Sequence, residues 1–392
     1  MTRFLPLLFI ILLFGCSNGD SPLNDKRTIH KIEKQLKESV ETVHSIKTAK
    51  LVSPRSCEDG AVKMVAASDW TSGFYPGELW MMHEFTGDNF WKEKALEFTL
   101  PLEQEKFNGR THDMGFKMYC SFGKAYQATQ NPKYKEILLQ AAKTLSMRFN
   151  PNVGCIRSWD HNTDKWDFPV IIDNMMNLEL LFWAAKESGN RVYKDIAVSH
   201  AETTMKNHFR SDNSSYHVID YNPETGVVEN KNTFQGYAHE SAWSRGQAWG
   251  LYGYTMVYRE TGDEKFLKQA EKIANYILNH PNLPDNKIPY WDFNAPGIPN
   301  EPLDASAAAI TASALYELST FSENGNEYSK VADQIISGLS SPEFLAKPGT
   351  NNGFLLKHST GSKPGNSEVD TPLIYADYYY AESLLRKTKY QQ

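Results

Sequence analysis

The segment Glu-Thr-Gly-Asp-Glu-Lys-Phe (260–266) decides the fold, because it closes one helix and opens the next. Gly262 supplies the left-handed residue that ends a helix at little conformational cost. Asp263 offers a carboxylate to the free N–H groups of the following helix, and Phe266 begins a new apolar face. The same punctuation recurs in Phe-Thr-Gly-Asp-Asn-Phe (85–90), Ala-Thr-Gln-Asn-Pro-Lys-Tyr (128–134), Glu-Ser-Gly-Asn-Arg-Val-Tyr (187–193) and Glu-Asn-Gly-Asn-Glu-Tyr (323–328). Working outward from these turns, apolar periodicity predicts helices at 26–47, 73–86, 90–105, 114–129, 132–148, 174–189, 191–208, 242–261, 263–280, 304–321, 324–340 and 370–387. The turns define five helical hairpins, and the unmatched first and last helices can pair as a sixth. Six hairpins close a ring, so the expected fold is all-α, an (α/α)6 barrel. An open solenoid of repeats is the competing reading, which the unequal turn spacing and the long loops 149–172 and 209–240 fit less well.

The 392 residues carry a formal net charge of -6, which provides no general cationic field for nucleic acid. Nine Trp, 20 Tyr and 20 Phe are more aromatic surface than a helical core requires, and flat aromatic faces suit sugar rings. The chain opens with Arg3, an apolar run from Phe4 to Phe14, and Gly15-Cys16. That run is too short for a permanent membrane span and reads as a signal peptide over 1–15. Its Leu-Phe-Gly-Cys ending has the form of a bacterial lipobox. A lipidated Cys16 would then begin the mature chain and be its only link to a membrane, with 16–24 as a tether and 25–392 as a single catalytic domain. The expected location is the periplasm or cell envelope of a bacterium; a plain signal peptide is the alternative. Cys57, Cys120 and Cys155 remain, an odd set that makes no disulfide framework, and no paired His or Cys spacing suggests a metal.

In a closed ring, the first helix of each hairpin lies inside and starts on the loop-bearing face. Each start holds an acidic residue: Asp69, Asp113, Asp173, Glu240, Asp304 or Asp370. Most are expected to cap helices, yet six converging on one mouth would make a place for acid/base chemistry. Asp113 and Asp173 stand out, because Thr-His-Asp-Met-Gly-Phe (111–116) and Ile-Ile-Asp-Asn-Met-Met-Asn (171–177) set a carboxyl against an apolar run. Capping alone would also account for each. The stretch 240–250 places Trp243, Arg245 and Trp249 on the first turns of an inner helix, where Arg245 could fork onto a carboxylate or pair with a neighbouring acid. Trp159 and His217 lie in the long loops over the same face.

These residues resemble those of the unsaturated glucuronyl hydrolases. The resemblance runs from about Ser68 to Arg386 and rests on Trp-Thr-Ser-Gly-Phe-Tyr-Pro-Gly (70–77), His-Asp-Met-Gly-Phe (112–116), the 171–177 segment, Trp-Ser-Arg-Gly-Gln-Ala-Trp (243–249) and Ala-Asp-Tyr-Tyr-Tyr (376–380). It implies the same (α/α)6 barrel, with Asp173 as general acid/base and Asp113 as its companion. His217, Gln235, Arg245 and Trp249 would surround the uronate, His112 and Trp243 would also bind substrate, and Trp70, Phe74 and Trp159 would form aromatic walls. The implied substrate is an unsaturated oligosaccharide left by a polysaccharide lyase. No cofactor or metal is implied, and the enzyme is expected to act as a monomer. In Lys-His-Ser-Thr-Gly-Ser-Lys-Pro (357–364), His358, Ser359, Ser362 and Lys363 are candidates for reading a sulfate ester. Family members that accept sulfated substrates carry Ser-x-x-Ser-x-Lys, and this loop falls one residue short of it. Two rival readings remain at this stage: an unsaturated rhamnogalacturonyl hydrolase acting on pectin fragments, and a glycan-binding lipoprotein without catalysis.

Overall fold

The computed structural model describes residues 22–390, so the leader and Cys16 lie outside the described residues. Its helices are α1 (Pro22–Ile46), α2 (Phe74–Thr86), α3 (Asn89–Thr99), α4 (Lys124–Thr129), α5 (Pro132–Ser146), α6 (Leu178–Ser188), α7 (Arg191–Asn207), α8 (Ser244–Thr261), α9 (Glu264–Leu278), α10 (Ala305–Leu318), α11 (Gly325–Leu339) and α12 (Ile374–Tyr390). A π-helical stretch, Gly115–Gly123, leads into α4, and a 3-10 segment, Ile172–Asn177, leads into α6. The even-numbered helices form the inner ring. With the segments that precede α4 and α6, each packs on the next, and α12 packs back on α2, which closes the (α/α)6 barrel.

The turns work as the local chemistry requires at four of five joints. Asp88, Asn131, Asn190 and Asp263 accept from the N–H two residues on, capping α3, α5, α7 and α9. Gly87, Gly189 and Gly262 end the preceding helices at positive φ, and Gln130 adopts the same left-handed geometry without being glycine. The fifth joint differs. Gly325 starts α11 instead of ending α10, because it passes so close to the Ser319 carbonyl that a Cβ would sit 2.2 Å from that oxygen.

Inner and outer helices differ in pattern. Every residue of α10 is buried, as befits an inner helix, whereas α9 buries Phe266, Leu267, Ala270, Ile273, Ala274 and Ile277 along one stripe. Helix α1 buries Ile32, Leu36, Val40 and Val43, and Gln35 fastens it by donating to the Thr350 and Phe354 carbonyls at 2.7 and 2.9 Å. Its anchors are thus α2 and the 349–354 turn.

The loops contain strands that periodicity does not reveal. Strands β1 (Ser53–Glu58) and β2 (Ala61–Val65) form a hairpin, and β3 (Phe149–Asn150) pairs with β4 (Cys155–Ile156). An antiparallel sheet in the order β5 (Pro169–Ile171), β6 (Val218–Tyr221), β7 (Val228–Asn232) joins two of the long loops. These segments are two to six residues long, too short for alternation to register.

A chain of ion pairs joins the C-terminal parts of α8, α10 and α12 to the first turn of α6. Arg259 of α8 reaches Glu179 of α6 and Glu317 of α10, the latter at 2.7 Å, and Arg386 of α12 lies 3.0 Å from the other Glu317 oxygen. Glu317 is almost fully buried and has a guanidinium at each oxygen. Removing it strands two cations in a low-dielectric interior, so Glu317→Ala is expected to cost about 3–5 kcal/mol in urea unfolding. A loss below about 1 kcal/mol, typical of exposed pairs, would show that the network is solvated and weak.

Candidate active site

The N-terminal ends of the inner helices open on a cleft of about 260 Å3 lined by both Asp113 and Asp173. Backbone packing brings their segments together. A Cβ on Gly115 would lie 2.7 Å from the Asn177 Cα, so only glycine permits this approach, and Asn177 Oδ1 accepts from the Phe116 N–H at 3.1 Å. The π-helical stretch begins at this contact; such widened turns recur at functional sites.

Asp173 sits in the 3-10 segment after β5, with Ile171 and Ile172 on one side and Met175 and Met176 on the other, all buried. Its Oδ2 has no hydrogen-bond partner. Burial pushes its carboxyl up to about 7, against the pull of the nearby Arg245 cation. His217 faces it. The ring's Nδ1 accepts from the backbone N–H groups of Phe234 and Gln235, both at 3.1 Å, which leaves the proton on Nε2. That Nε2 stands 3.7 Å from Asp173 Oδ2, too far for a hydrogen bond, and burial holds the imidazole neutral by lowering its pKa well below the usual value. Asp113 lies nearby with a different shell: Thr111 Oγ1 donates to it at 2.7 Å and His112 Nε2 is 3.3 Å from its other oxygen. The arrangement offers a carboxylic acid still protonated near neutrality, a second carboxyl, and imidazole donors in an aromatic-walled cleft. It suits proton delivery to a neutral or anionic substrate.

The comparisons with known proteins agree with this chemistry. No family model matches the chain. An unsaturated glucuronyl hydrolase of Formosa agariphila is 54% identical over 327 residues, covering 83% of this chain and 82% of its own length. The chain belongs to the unsaturated glucuronyl hydrolases. The enzyme of that name from Bacillus sp. strain GL1 is 33% identical over 338 residues, covering 84% of this chain and 89% of its own. A crystal structure described as an unsaturated glucuronyl hydrolase specific for heparin superposes with a TM-score of 0.90 at 49% identity, covering 94% of this chain and 97% of that one.

Within this glucuronyl hydrolase fold the expected site residues divide into three groups. Trp70, His112, Trp159, Gln235, Arg245 and Ser362 line the cleft with the two aspartates. His217, Phe74, Trp243 and Trp249 are buried behind that surface. Phe74 backs Trp70 and Phe116 and so is not itself a wall, Trp243 is sandwiched between His217 and Arg245, and Trp249 packs under Phe116. The third group lies away from the cleft. His358 turns to Asp370 at 2.6 Å, Ser359 is buried in a bridge to Thr371, and Lys363 is exposed. Of the four candidates for reading sulfate, Ser362 alone lines the cleft, beside Gly361 of the same loop.

Two further expectations are corrected. The six acidic residues do not converge: Glu240 pairs with Arg210 and Asp370 with His358 in exposed positions, while Asp69 and Asp304 are engaged by Arg55 and Arg245. Asp304 is the true cap, accepting from the Ser306 N–H, whereas neither Asp113 nor Asp173 caps its helix by side chain. Arg245 pairs with that buried acid at 2.9 Å and also donates to the Thr360 and Gly361 carbonyls, so most of its guanidinium is committed to structure. Arg55, Glu368, Phe234 and Tyr375 line the cleft without having been anticipated. Tyr375 stands one residue before the Ala-Asp-Tyr-Tyr-Tyr motif and could have been read from it; Arg55 lies on β1 and Glu368 in a turn, with no sequence signal.

A larger cavity of about 1180 Å3 occupies the other end of the barrel. Its Arg259 pairs with Glu179 and its Arg386 with Glu317, so these charges belong to the ion-pair network described above.

The raised Asp173 pKa makes a prediction for stability. A carboxyl that ionises near 3.8 when unfolded and near 7 when folded keeps its proton in the native state between those values, so folding loses stability as pH rises to about 7 and no more above it. Asp173→Asn should therefore be more stable than the wild type, by a few kcal/mol at pH 8 and by less at pH 5. Equal melting shifts at both values would mean that Asp173 is ionised in the native protein.

Proposed function

We propose that this chain releases 4,5-unsaturated glucuronic acid from the non-reducing end of lyase-generated oligosaccharides of the glycosaminoglycan type. The observation that carries the reading is the buried Asp173 carboxyl in the cleft, whose Oδ2 has no hydrogen-bond partner and whose pKa burial raises to about 7. Asp173 gives that proton to C4 of the C4=C5 bond, and positive charge develops at C5 and the ring oxygen. The resulting carboxylate takes a proton from water as its oxygen bonds to C5, giving a hemiketal. The hemiketal opens to a ketone, C1 becomes a hemiacetal, and the leaving sugar departs with its own oxygen. One proton is lent and recovered, and one water is consumed.

Asp113 adds its charge to the environment that raises Asp173, and the neutral His217 donor and the Arg245 cation favour an anionic uronate beside it. A glycan-binding protein without catalysis would gain nothing from an acid left without partners. The glucuronyl names of the relatives favour glucuronate over a rhamnogalacturonyl substrate, and the heparin specificity of one solved relative supports the glycosaminoglycan class. Action as a monomer and the division into leader, tether and a 25–392 catalytic domain belong to the same proposal.

Asp173→Asn is expected to lower turnover about a hundredfold to ten-thousandfold, followed by loss of the ultraviolet absorbance of the conjugated double bond. Retention of more than roughly a tenth of wild-type turnover would move the role to Asp113. A panel of heparin, chondroitin and pectin lyase products checks the substrate class, since turnover of the pectin product alone would overturn it.

We also infer export as a cell-envelope lipoprotein, supported by the apolar run Phe4–Phe14 and the Leu-Phe-Gly-Cys ending. Labelled fatty acid should enter the wild-type chain and not Cys16→Ser; absence of label from the wild type would leave a plain exported enzyme.

A further inference from the structure

We propose that Phe234 is the stacking platform for the leaving sugar and thereby sets how well the enzyme accepts a second ring, an inference that rests on the function proposed above. Trp159 is the aromatic residue that sequence places at this rim, and it lines the cleft, but it already carries a stacked ring. His161 stacks on it at 5.2 Å, and His217, Trp166 and Phe234 meet it in edge or tilted contacts between 5.5 and 5.9 Å.

Phe234 is differently placed. It lines the cleft and is 42% exposed, so part of its ring is open to a ligand in the cleft. Its two aromatic contacts, to Trp159 and Trp166 at 5.5 and 5.9 Å, are T-shaped, and neither is a stack. The ring is also firmly held. Its own N–H and that of Gln235 bond to His217, and the Gln235 side chain donates to the Gly361 carbonyl at 3.0 Å. A rigid, half-open aromatic on the rim matches the C–H face of a pyranose.

The same cleft supplies the polar edge that a sugar also needs. Arg55 forks onto Glu368 at 2.6 and 2.9 Å and reaches Asp69 at 2.9 Å. Three of its five N–H groups are thus used, and the remaining donors, with Glu368 lone pairs and the Ser362 and Ser367 hydroxyls, can meet hydroxyl groups. Apolar face and polar edge in one cleft distinguish a sugar subsite from a patch that merely sheds water.

The test compares two substrates that share the unsaturated glucuronate: an unsaturated glycosaminoglycan disaccharide, and the methyl glycoside, which has no second ring. In Phe234→Ala the ratio of disaccharide to methyl glycoside kcat/KM should fall roughly three- to tenfold, the scale of one aromatic contact, with the change mainly in KM. Phe234→Tyr should restore the ratio. Both variants keep the backbone N–H that holds His217, and melting curves verify the fold. An unchanged ratio, or an equal loss on both substrates, overturns the platform. If the wild type turns over neither substrate, the proposed function itself fails and the platform falls with it.

Discussion

The ion pairs that join Arg259, Glu317 and Arg386 hold together the half of the barrel that has no active site, and the other half depends on them. Glu317 receives a guanidinium at each oxygen, while Tyr252 and Ser313 satisfy the neighbouring Glu382. Three inner helices, α8, α10 and α12, are thereby fixed at their far ends, and α6 is joined to them through Glu179 in its first turn. The mouth has the opposite character. His112 Nδ1, Asp173 Oδ2, His217 Nε2 and Trp249 Nε1 are all buried without a hydrogen-bond partner, and each such group destabilises the fold by about 1–3 kcal/mol. At the base the buried Glu317 Oε2 lacks a hydrogen bond but has the Arg386 guanidinium 3.0 Å away, whereas the groups at the mouth are left where a substrate can meet them.

Much of the barrel is legible in the sequence because helix ends have local chemistry. Asp263, Asn190, Asn131 and Asp88 cap through their own side chains, and three glycines turn left-handed just before them. Where the reading slips, a tertiary contact has replaced the local rule. Gly325 is glycine because the Ser319 carbonyl crowds it, and Gly115 because Asn177 does, although in sequence either could pass for a turn or a helix interior. The β5–β6 pairing was invisible for a related reason: its partners, such as Val170 and Ile219, lie some fifty positions apart.

The site was legible where a motif carried it and obscure where partners come from distant loops. Asp113 and Asp173 were marked by the apolar runs beside them, and burial is indeed what raises Asp173. Arg245 was placed correctly at the cleft, but sequence could not say that Asp304 and two carbonyls would claim its donors. Arg55 and Glu368 are separated by more than three hundred residues and meet only in the fold. Their sequence neighbours say nothing of a cleft.

The His217 ring shows how loop backbone can set the chemistry of a buried acid. Had its Nδ1 carried the proton, Nε2 would present a lone pair to Asp173 and invite the carboxyl to donate its proton to the ring. The N–H groups of Phe234 and Gln235 forbid that tautomer by occupying Nδ1. Nε2–H then faces Asp173 Oδ2 across 3.7 Å, a gap that leaves the acid unneutralised and its proton available. The β5–β6 pairing sets that gap from both sides, since His217 stands just before β6 and Asp173 just after β5, and the Ile172 N–H donates to the His217 carbonyl at 3.1 Å. A sheet of three short strands thus fixes the distance on which the proton's availability depends.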